Sequence, residues 1–247
     1  PPPPPPPPPP TPPTSQSSAA SDVYKRQAKK DISRDFRIPA NKFSIVPNGI
    51  NTKLFYPISQ IERKRTRVIV TNSADTPLKG LFFLFQAVAE LEKIQDIDIT
   101  VVGEPKKNGD IVKLIQKLGI GHRINFTGRI DDREFVQQYA MATVAVVPSV
   151  YEGFGLPVGE AMACGVPVIS TTGGALPEVV GDAGVLVEPA NSAALAGAIR
   201  ELLNNPVRAE KLGMAGYRRV QKHFTWEKAA IKTVAAYQEV IDGHRRI

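Results

Sequence analysis

Six short apolar runs, each followed by a segment with helical periodicity, occupy the chain from Arg67 onward. β-Branched residues dominate the runs, which cover residues 67–72, 97–103, 123–128, 143–149, 166–171 and 184–189. Strands that are apolar along their whole length are typical of parallel sheets covered by helices on both faces. The pattern therefore predicts an α/β fold with a doubly wound, six-stranded parallel sheet, Rossmann-like in type.

The segments between the runs carry helix signals. One face of the helix predicted over residues 78–94 carries five large apolar side chains: Leu81, Leu84, Phe85, Val88 and Leu91. Gly119 and Gly165 each follow a helical pattern and are typical C-terminal stops. Asp131 and Asp132 are expected to open another helix.

Ligands of such sheets bind beyond the carboxyl ends of the strands. The candidate loops are therefore 72–79, 103–109, 128–131, 148–156 and 171–176. The fourth of these is the most informative, because Gly153 and Gly155 precede a helix predicted to begin at Leu156. Glycines allow close approach of the backbone to a ligand, and a helix N-terminus carries partial positive charge.

Two glutamates bracket that loop: Glu152 at its start and Glu160 one turn into the helix. A carboxylate accepts hydrogen bonds from two neighbouring hydroxyls, such as those of a ribose. A glycine-rich turn is also common in any α/β sheet, and helix glutamates usually face solvent. The residues alone leave both interpretations open.

Several other sites are not indicated. A dinucleotide-binding loop requires G-x-G-x-x-G, but Gly153 and Gly155 are followed by Val158 at the third position. No P-loop string is present, and the three histidines and the lone Cys164 lack metal-site spacing. We therefore expect no cofactor and no metal. The charged run at residues 62–67 is typical of a solvated loop, so no nucleic-acid partner is predicted.

Composition adds broad limits. The formal charge of +7 suits phosphate-bearing ligands or an anionic membrane surface, and equally a solvated surface. The apolar runs are strand-length, which predicts no membrane span. A single cysteine fits a reducing compartment, so a cytoplasmic location is expected, with peripheral association at the inner face of the membrane as an alternative.

The first 27 residues stand apart in composition. Residues 1–16 are proline-rich and predict a polyproline II tail. Residues 17–27 resemble a translated frame of a transposase adapter used in sequencing libraries. We expect residues 1–27 to be an artefact and disordered, and residues 28–50 to be the tail of a preceding domain with its linker.

Residues 148–184 resemble the retaining glycosyltransferases of the GT-B fold, group 1 (family 4-like), whose hallmark is two glutamates separated by seven residues. Three shorter stretches support the resemblance: "PNGIN" at 47–51, "LKGL" at 78–81 and "FTW" at 224–226. The resemblance as a whole covers about residues 28–242. The resemblance implies a donor-binding domain at residues 51–222 and a crossing helix at 223–247.

The resemblance also implies roles. Glu160 would hold the donor ribose, and Glu152 would hold the hydroxyls of the transferred sugar. Lys79, with Glu152 the catalytic pair, would meet the diphosphate. Backbone and neighbouring positions complete the implied donor site: Gly153, Phe154 and Gly155 at the sugar, Leu156 at the diphosphate, and Gly128, Arg129 and Ile130 at the base. Ser73 lies near the position where the family often has an arginine, so one positive charge is missing.

By this resemblance, the protein transfers a sugar from a UDP- or GDP-linked donor with retention of anomeric configuration. The acceptor, whether glycan, lipid or small molecule, is not identified. An acceptor-binding N-terminal domain is expected upstream, so the chain by itself is predicted to be inactive. The alternatives are a GT-B nucleotide-sugar epimerase and a non-catalytic module that binds nucleotide sugars.

Overall fold

The computed structural model of the protein describes residues 21–23, 26–71 and 76–244. The strands in these ranges are β1 (Ser21–Val23), β2 (Phe43–Ile45), β3 (Arg67–Thr71), β4 (Asp98–Val102), β5 (Ile124–Phe126), β6 (Val144–Val147), β7 (Val168–Thr171) and β8 (Val185–Val187). The helices are α1 (Arg26–Asp35), α2 (Leu81–Leu91), α3 (Asp110–Leu118), α4 (Asp132–Met141), α5 (Leu156–Ala163), α6 (Leu176–Val180), α7 (Ser192–Asn204), α8 (Pro206–His223) and α9 (Trp226–His244).

The main sheet confirms the predicted fold. Its order is β5-β4-β3-β6-β7-β8, and every neighbouring pair is parallel. The strand order reverses between β3 and β6, which lie side by side although α2 to α4 separate them in the chain. A reversal of this kind opens a crevice at the carboxyl ends of the two strands.

Both faces of this sheet are covered. Alternate residues of a strand point to opposite faces, so Val68 and Val70 pack with α2, α3 and α7, while Ile69 packs with α4, α5 and α6. Each layer forms its own apolar cluster, and β6 and β7 are buried along their whole length. The five apolar residues predicted to share one face of α2 are all buried.

The predicted helix ends are largely confirmed. Gly119 and Gly165 adopt left-handed backbone, with φ of 73° and 68°, directly after α3 and near the end of α5. Asp131 caps α4, accepting a 2.7 Å hydrogen bond from the backbone N–H of Glu134. The short helix α6 was not predicted, because its five residues are too few to show a period.

One boundary differs from the sequence expectation. Helix α2 begins at Leu81 rather than near residue 78, because Pro77–Lys79 form a 3₁₀ turn and Gly80 has φ of 71°. The expected artefact at residues 1–27 lies mostly outside the described residues, of which Ser21–Val23 pair in parallel with β2. Main-chain hydrogen bonds alone allow an extended tripeptide to join the free edge of a short strand.

Candidate functional site

A cavity of about 750 Å³ opens at the carboxyl edge of the sheet, above the junction of β3 and β6. Ten of the eleven predicted site residues line it: Lys79, Gly128, Arg129, Ile130, Glu152, Gly153, Phe154, Gly155, Leu156 and Glu160. The eleventh, Ser73, lies outside the described residues. Residues distant in sequence thus meet in the one crevice that the strand order creates.

Lys79 and Glu152 form an ion pair across this crevice. Lys79 Nζ donates to Glu152 Oε1 at 2.6 Å, and the Ser149 hydroxyl donates to the same oxygen at 3.0 Å. Only 26% of the lysine side chain and 12% of the glutamate side chain are exposed, so solvent screens the pair weakly. The pair joins the loop after β3 to the loop after β6.

Gly80 allows these two loops to meet. A Cβ at this position would lie 1.9 Å from the carbonyl oxygen of Pro148, so any side chain would collide with the backbone of the neighbouring loop. The N–H of Val150 also donates to the Leu78 carbonyl at 2.8 Å. Together these contacts fix Lys79 beside Glu152.

The backbone of Glu152 is held from the other side by the segment before α6. The Ala175 N–H donates to the Glu152 carbonyl at 3.0 Å, and Gly174 forms a parallel bridge with Glu152. Helix α6 is in turn held by Arg219 of α8, whose guanidinium donates to the carbonyl oxygens of Val179 and Glu178, each at 2.8 Å. The position of Glu152 therefore depends on a helix that begins more than fifty residues further along the chain.

Helix α5 presents its N-terminus to the cavity. Gly155 precedes it with φ of 91°, and its carbonyl accepts from the N–H groups of Val158 and Gly159. The N–H of Leu156, at the first helical position, has no acceptor one turn earlier within the helix. The loop and helix start thus offer backbone donors and partial positive charge to an anion.

Glu160 lies deeper, in an aromatic environment. Burial, reinforced by the Asp132 carboxylate, raises the pKa of Glu160 to about 7, while the nearby Tyr139 hydroxyl, which donates to the Pro157 carbonyl at 3.4 Å, lowers the pKa in part. Tyr139 is 1% exposed, and its ring stacks on Phe135 with centroids 4.9 Å apart. Burial and the same glutamate raise the pKa of Tyr139 well above 10, so the phenol remains a donor.

The far end of the cavity is formed by the loops after β4 and β5. The Gly128 N–H donates to the Gly103 carbonyl at 3.2 Å, and the Gly103 N–H donates to Thr127 Oγ1 at 3.2 Å. Gly128 has φ of 70°, and the exposed Arg129 follows it. These bonds make a rigid wall of backbone beside an accessible guanidinium.

Sequence reasoning missed six lining residues: Asn48, Thr71, Val102, Gly103, Phe135 and Pro157. Thr71 and Val102 end β3 and β4, so the rule that ligands bind at strand ends should have identified them. Asn48 belongs to the "PNGIN" stretch. No sequence signal distinguishes Phe135 from an ordinary apolar residue of an amphipathic helix.

A second hollow, of about 910 Å³, lies at the opposite edge of the sheet, where Thr66, Thr143 and Pro167 precede their strands. None of the predicted site residues lines it. Over the described ranges, no three His, Cys, Asp or Glu side chains are grouped as metal ligands would be, and no helix has the length and apolar character of a membrane span. The crevice at the β3–β6 junction is thus the better candidate site.

Comparison with known proteins supports this choice. The family model of glycosyl transferases group 1 matches residues 56–219, which include β3 to β8 and nearly all of the cavity lining. The chain belongs to this family. The site geometry described above is therefore interpreted by comparison with members of this family.

Similar proteins include two curated mannosyltransferases. This group 1 chain is 41% identical over 214 residues to the MMP α-(1→4)-mannosyltransferase of Mycolicibacterium hassiacum, which covers 85% of this chain and 52% of that protein. It is 30% identical over 204 residues to a GDP-mannose-dependent phosphatidylinositol monomannoside mannosyltransferase of Corynebacterium glutamicum, covering 75% and 53% respectively. The chain thus spans about half the length of the curated relatives it matches.

Among solved structures, sucrose-phosphate synthase of Thermosynechococcus elongatus is similar, with a TM-score of 0.78 and 32% identity. The match covers 90% of this chain and 58% of that one. Fold and family therefore agree with the sheet order and with the GT-B resemblance of the sequence.

Proposed function

We propose that this chain is the donor-binding half of a retaining glycosyltransferase, which takes a sugar from a nucleotide-sugar donor. The observation that carries the proposal is the meeting of Lys79, Glu152 and Glu160 in one crevice with the N-terminus of α5. A cation and helix dipole suit a diphosphate, and the two carboxylates suit the hydroxyls on either side of it.

The diphosphate lies between Lys79 and the N–H of Leu156 in this proposal. Lys79 is bound to Glu152, so the donor diphosphate would compete with this carboxylate for the ammonium group. The arginine that the family often has near the position of Ser73 is absent from this sequence. Lys79 must therefore neutralise more of the negative charge of the diphosphate. Arg129, exposed on the cavity wall, is a second cation available to the phosphates.

The transferred sugar lies at Glu152 and the backbone of Gly153, Phe154 and Gly155. Once Lys79 moves to the phosphates, Glu152 Oε1 accepts from a sugar hydroxyl instead of from the ammonium group. Ser149, which donates to that oxygen at 3.0 Å, keeps the carboxylate in position during the exchange.

Glu160 accepts from the ribose hydroxyls. Its pKa of about 7 means that Glu160 is a mixture of acid and carboxylate near neutral pH before the donor binds. Hydroxyl donors favour the ionised form, so binding of the ribose lowers the pKa of Glu160.

Transfer breaks the bond between the anomeric carbon and a phosphate oxygen, and the electron pair leaves with the diphosphate. Lys79 and the α5 N-terminus stabilise the charge that develops there, the largest contribution in sites of this kind. The acceptor hydroxyl attacks from the face of the leaving group, which retains the configuration, and its proton passes to the departing phosphate oxygen. No metal takes part in this scheme.

The relatives support a mannosyl group as the transferred sugar, since both curated proteins described above are mannosyltransferases. Neither of them is an epimerase. Because the chain spans about half the length of these relatives, we propose that a second, N-terminal domain holds the acceptor. The apolar side chains that α9 exposes supply a surface for that domain: Trp226, Ile231, Val234, Tyr237 and Ile241.

Calorimetric titration of this chain with GDP and UDP, each beside its bare nucleoside, tests the donor site. We expect at least one diphosphate to bind, and to bind more tightly than its nucleoside. Absence of binding by both diphosphates to the folded chain would contradict the proposal.

A further inference from the structure

Thr171, the last residue of β7, joins the two loops that support Glu152. Its hydroxyl donates to the carbonyl oxygen of Ser149, in the loop after β6, and accepts from the N–H of Gly173 at 3.2 Å, in the loop after β7. The residue is fully buried, with 0% of its surface exposed. A single hydroxyl thus satisfies an acceptor and a donor of two different main-chain segments, and each segment reaches Glu152 by its own contacts.

The first segment supports the side chain of Glu152. Ser149 is 2% exposed, and its hydroxyl donates to Glu152 Oε1 at 3.0 Å. The hydrogen bond from Thr171 holds the main chain of Ser149, and the N–H of Val150 is held by the Leu78 carbonyl at 2.8 Å. The backbone therefore sets the direction of the Ser149 hydroxyl, because only one side-chain torsion separates a serine oxygen from the main chain.

The second segment supports the main chain of Glu152. The Ala175 N–H donates to the Glu152 carbonyl at 3.0 Å. A Cβ at Gly174 would lie 2.3 Å from the same carbonyl oxygen, so the two loops are in direct contact at this point. Because the Thr171 hydroxyl accepts from the N–H of Gly173, it fixes the start of this segment.

On the assumption that Glu152 holds the transferred sugar, we propose that Thr171 is a positioning residue of this carboxylate. Thr171 lies outside the set of described residues that line the cavity, so it acts on the sugar through Glu152. Without the hydroxyl, the Ser149 carbonyl and the Gly173 N–H lose a buried partner, and the loops shift to satisfy them. Hydrogen bonds weaken steeply with poor alignment, so a displaced carboxylate binds the sugar hydroxyls less well.

The nucleotide end of the donor has supports of its own. In the proposed site the diphosphate binds Lys79 and the N–H of Leu156, and the ribose binds Glu160. The close approach of Gly80 to the loop after β6 positions Lys79, while Leu156 and Glu160 belong to α5. Loss of the Thr171 hydroxyl should therefore weaken the sugar contacts more than the nucleotide contacts.

The test is calorimetry of this chain with GDP-mannose against GDP and with UDP-glucose against UDP, and the pair that binds more tightly is used for the variants. The measured quantity is the affinity of the sugar nucleotide divided by that of the bare diphosphate. Thr171→Val keeps the shape of the side chain without its hydroxyl and should lower this ratio by about fivefold to tenfold, as expected for a weakened charge-assisted hydrogen bond. The affinity of the diphosphate itself should change by less than about twofold. Thr171→Ser keeps the hydroxyl and should keep the ratio of the parent chain.

Two further variants sharpen the comparison. Ser170→Ala is the matched control, because Ser170 is equally buried and donates to the Val147 carbonyl at 3.0 Å, a bond that joins β7 to β6 and not the two loops. Its ratio should equal that of the parent chain. Thr171→Cys retains a weak donor and should give an intermediate ratio, so the test stays available if the valine variant does not fold.

The possible results separate this inference from the donor site. A ratio unchanged in both Thr171→Val and Thr171→Cys would overturn the positioning role and leave the donor site standing. An equal fall in Thr171→Val and Ser170→Ala would also overturn it, since any buried hydroxyl of β7 would then have the same effect. Glu152→Ala should lower the ratio too, and an unchanged ratio there would overturn the sugar role of Glu152 and this inference with it. Binding of no nucleotide by the parent chain would overturn the donor site and the inference together.

Discussion

Lys79 Nζ and Glu152 Oε1 lie 2.6 Å apart although 73 residues separate them, and each belongs to a different loop at the strand reversal. The site therefore depends on two loop conformations at once. In the proposed donor site, a diphosphate would compete with Glu152 for the ammonium group of Lys79.

Replacement of Lys79 by alanine should weaken a nucleoside diphosphate by about tenfold to a hundredfold and the bare nucleoside far less, because the lysine meets the phosphates. Paired calorimetric titrations measure both. Lys117→Ala, at an exposed position of α3, is the control and should leave both affinities unchanged. An equal loss for diphosphate and nucleoside would contradict the role of Lys79.

Binding should depend on pH through Glu160. The pKa of about 7 for Glu160 implies that nucleoside diphosphate affinity rises as pH increases from 6 to 8, because hydroxyls bind the ionised form. Glu160→Gln should bind about tenfold or more weakly at pH 8 and lose this dependence. A wild-type pH profile retained in the variant would assign the titration to another group.

Stability should change in the opposite direction. The folded-state pKa of Glu160 is raised from 4.5 to about 7, so the folded chain binds this proton more tightly than the unfolded chain. The free energy of unfolding therefore falls as pH rises from about 4.5 to 7, by roughly 3 kcal/mol in total. Urea unfolding of Glu160→Gln should show a smaller fall over this window, and an identical slope would argue against the buried carboxyl.

Tyr139→Phe removes the hydroxyl that lowers the pKa of Glu160 and donates to the Pro157 carbonyl, and it keeps the ring against Phe135. The pKa of Glu160 should then rise above 7, because its ionised form loses a donor. The midpoint of the pH dependence of nucleotide binding should move upward. A uniform loss of affinity at every pH would instead indicate a packing defect.

The variants Gly80→Ala and Gly119→Ala distinguish the energetic cost of a left-handed backbone from the cost of a steric clash. Both glycines have left-handed backbone, with φ of 71° and 73°, but a Cβ at Gly80 meets the Pro148 carbonyl at 1.9 Å while one at Gly119 meets nothing within 4 Å. We expect about 1 kcal/mol of destabilisation for Gly119→Ala and clearly more for Gly80→Ala. Urea unfolding of the two variants gives the comparison, and equal losses would refute the contact between the loops.

The chain alone should bind nucleotide but transfer no sugar. Transfer requires an acceptor held within reach of the anomeric carbon and the exclusion of water, and the proposed N-terminal domain supplies both. A panel of donors and acceptors, assayed alongside calorimetry, tests this. Robust transfer to a specific acceptor by this chain would contradict the two-domain arrangement.

Much of the fold was predictable because its signals are local. The six strands are apolar throughout, and the turn at Gly119 and the cap at Asp131 each depend on a few neighbouring residues. Because β3 and β6 are parallel neighbours, the loops that follow them lie at the same edge of the sheet, and this brings Lys79 close to Glu152.

The features that could not be predicted from the sequence depend on contacts between helices, strands and loops that are distant in the chain. Phe135 and Tyr139 look like an ordinary apolar face of α4, and only the packing of α4 against α5 brings Tyr139 to Glu160. The close approach of Gly80 to the Pro148 carbonyl likewise joins neighbours in space rather than in sequence.

The hydrogen bonds from Arg219 to α6 have a consequence for the order in which the protein folds during its synthesis. A helix of five residues gains little stability by itself, and the segment that steadies Glu152 leads directly into it. As the chain leaves the ribosome from its N-terminus, strands β3 to β8 are all synthesised before α8 emerges. The sheet can therefore assemble first, and we expect the crevice to acquire its final shape once Arg219 binds the carbonyl oxygens of α6.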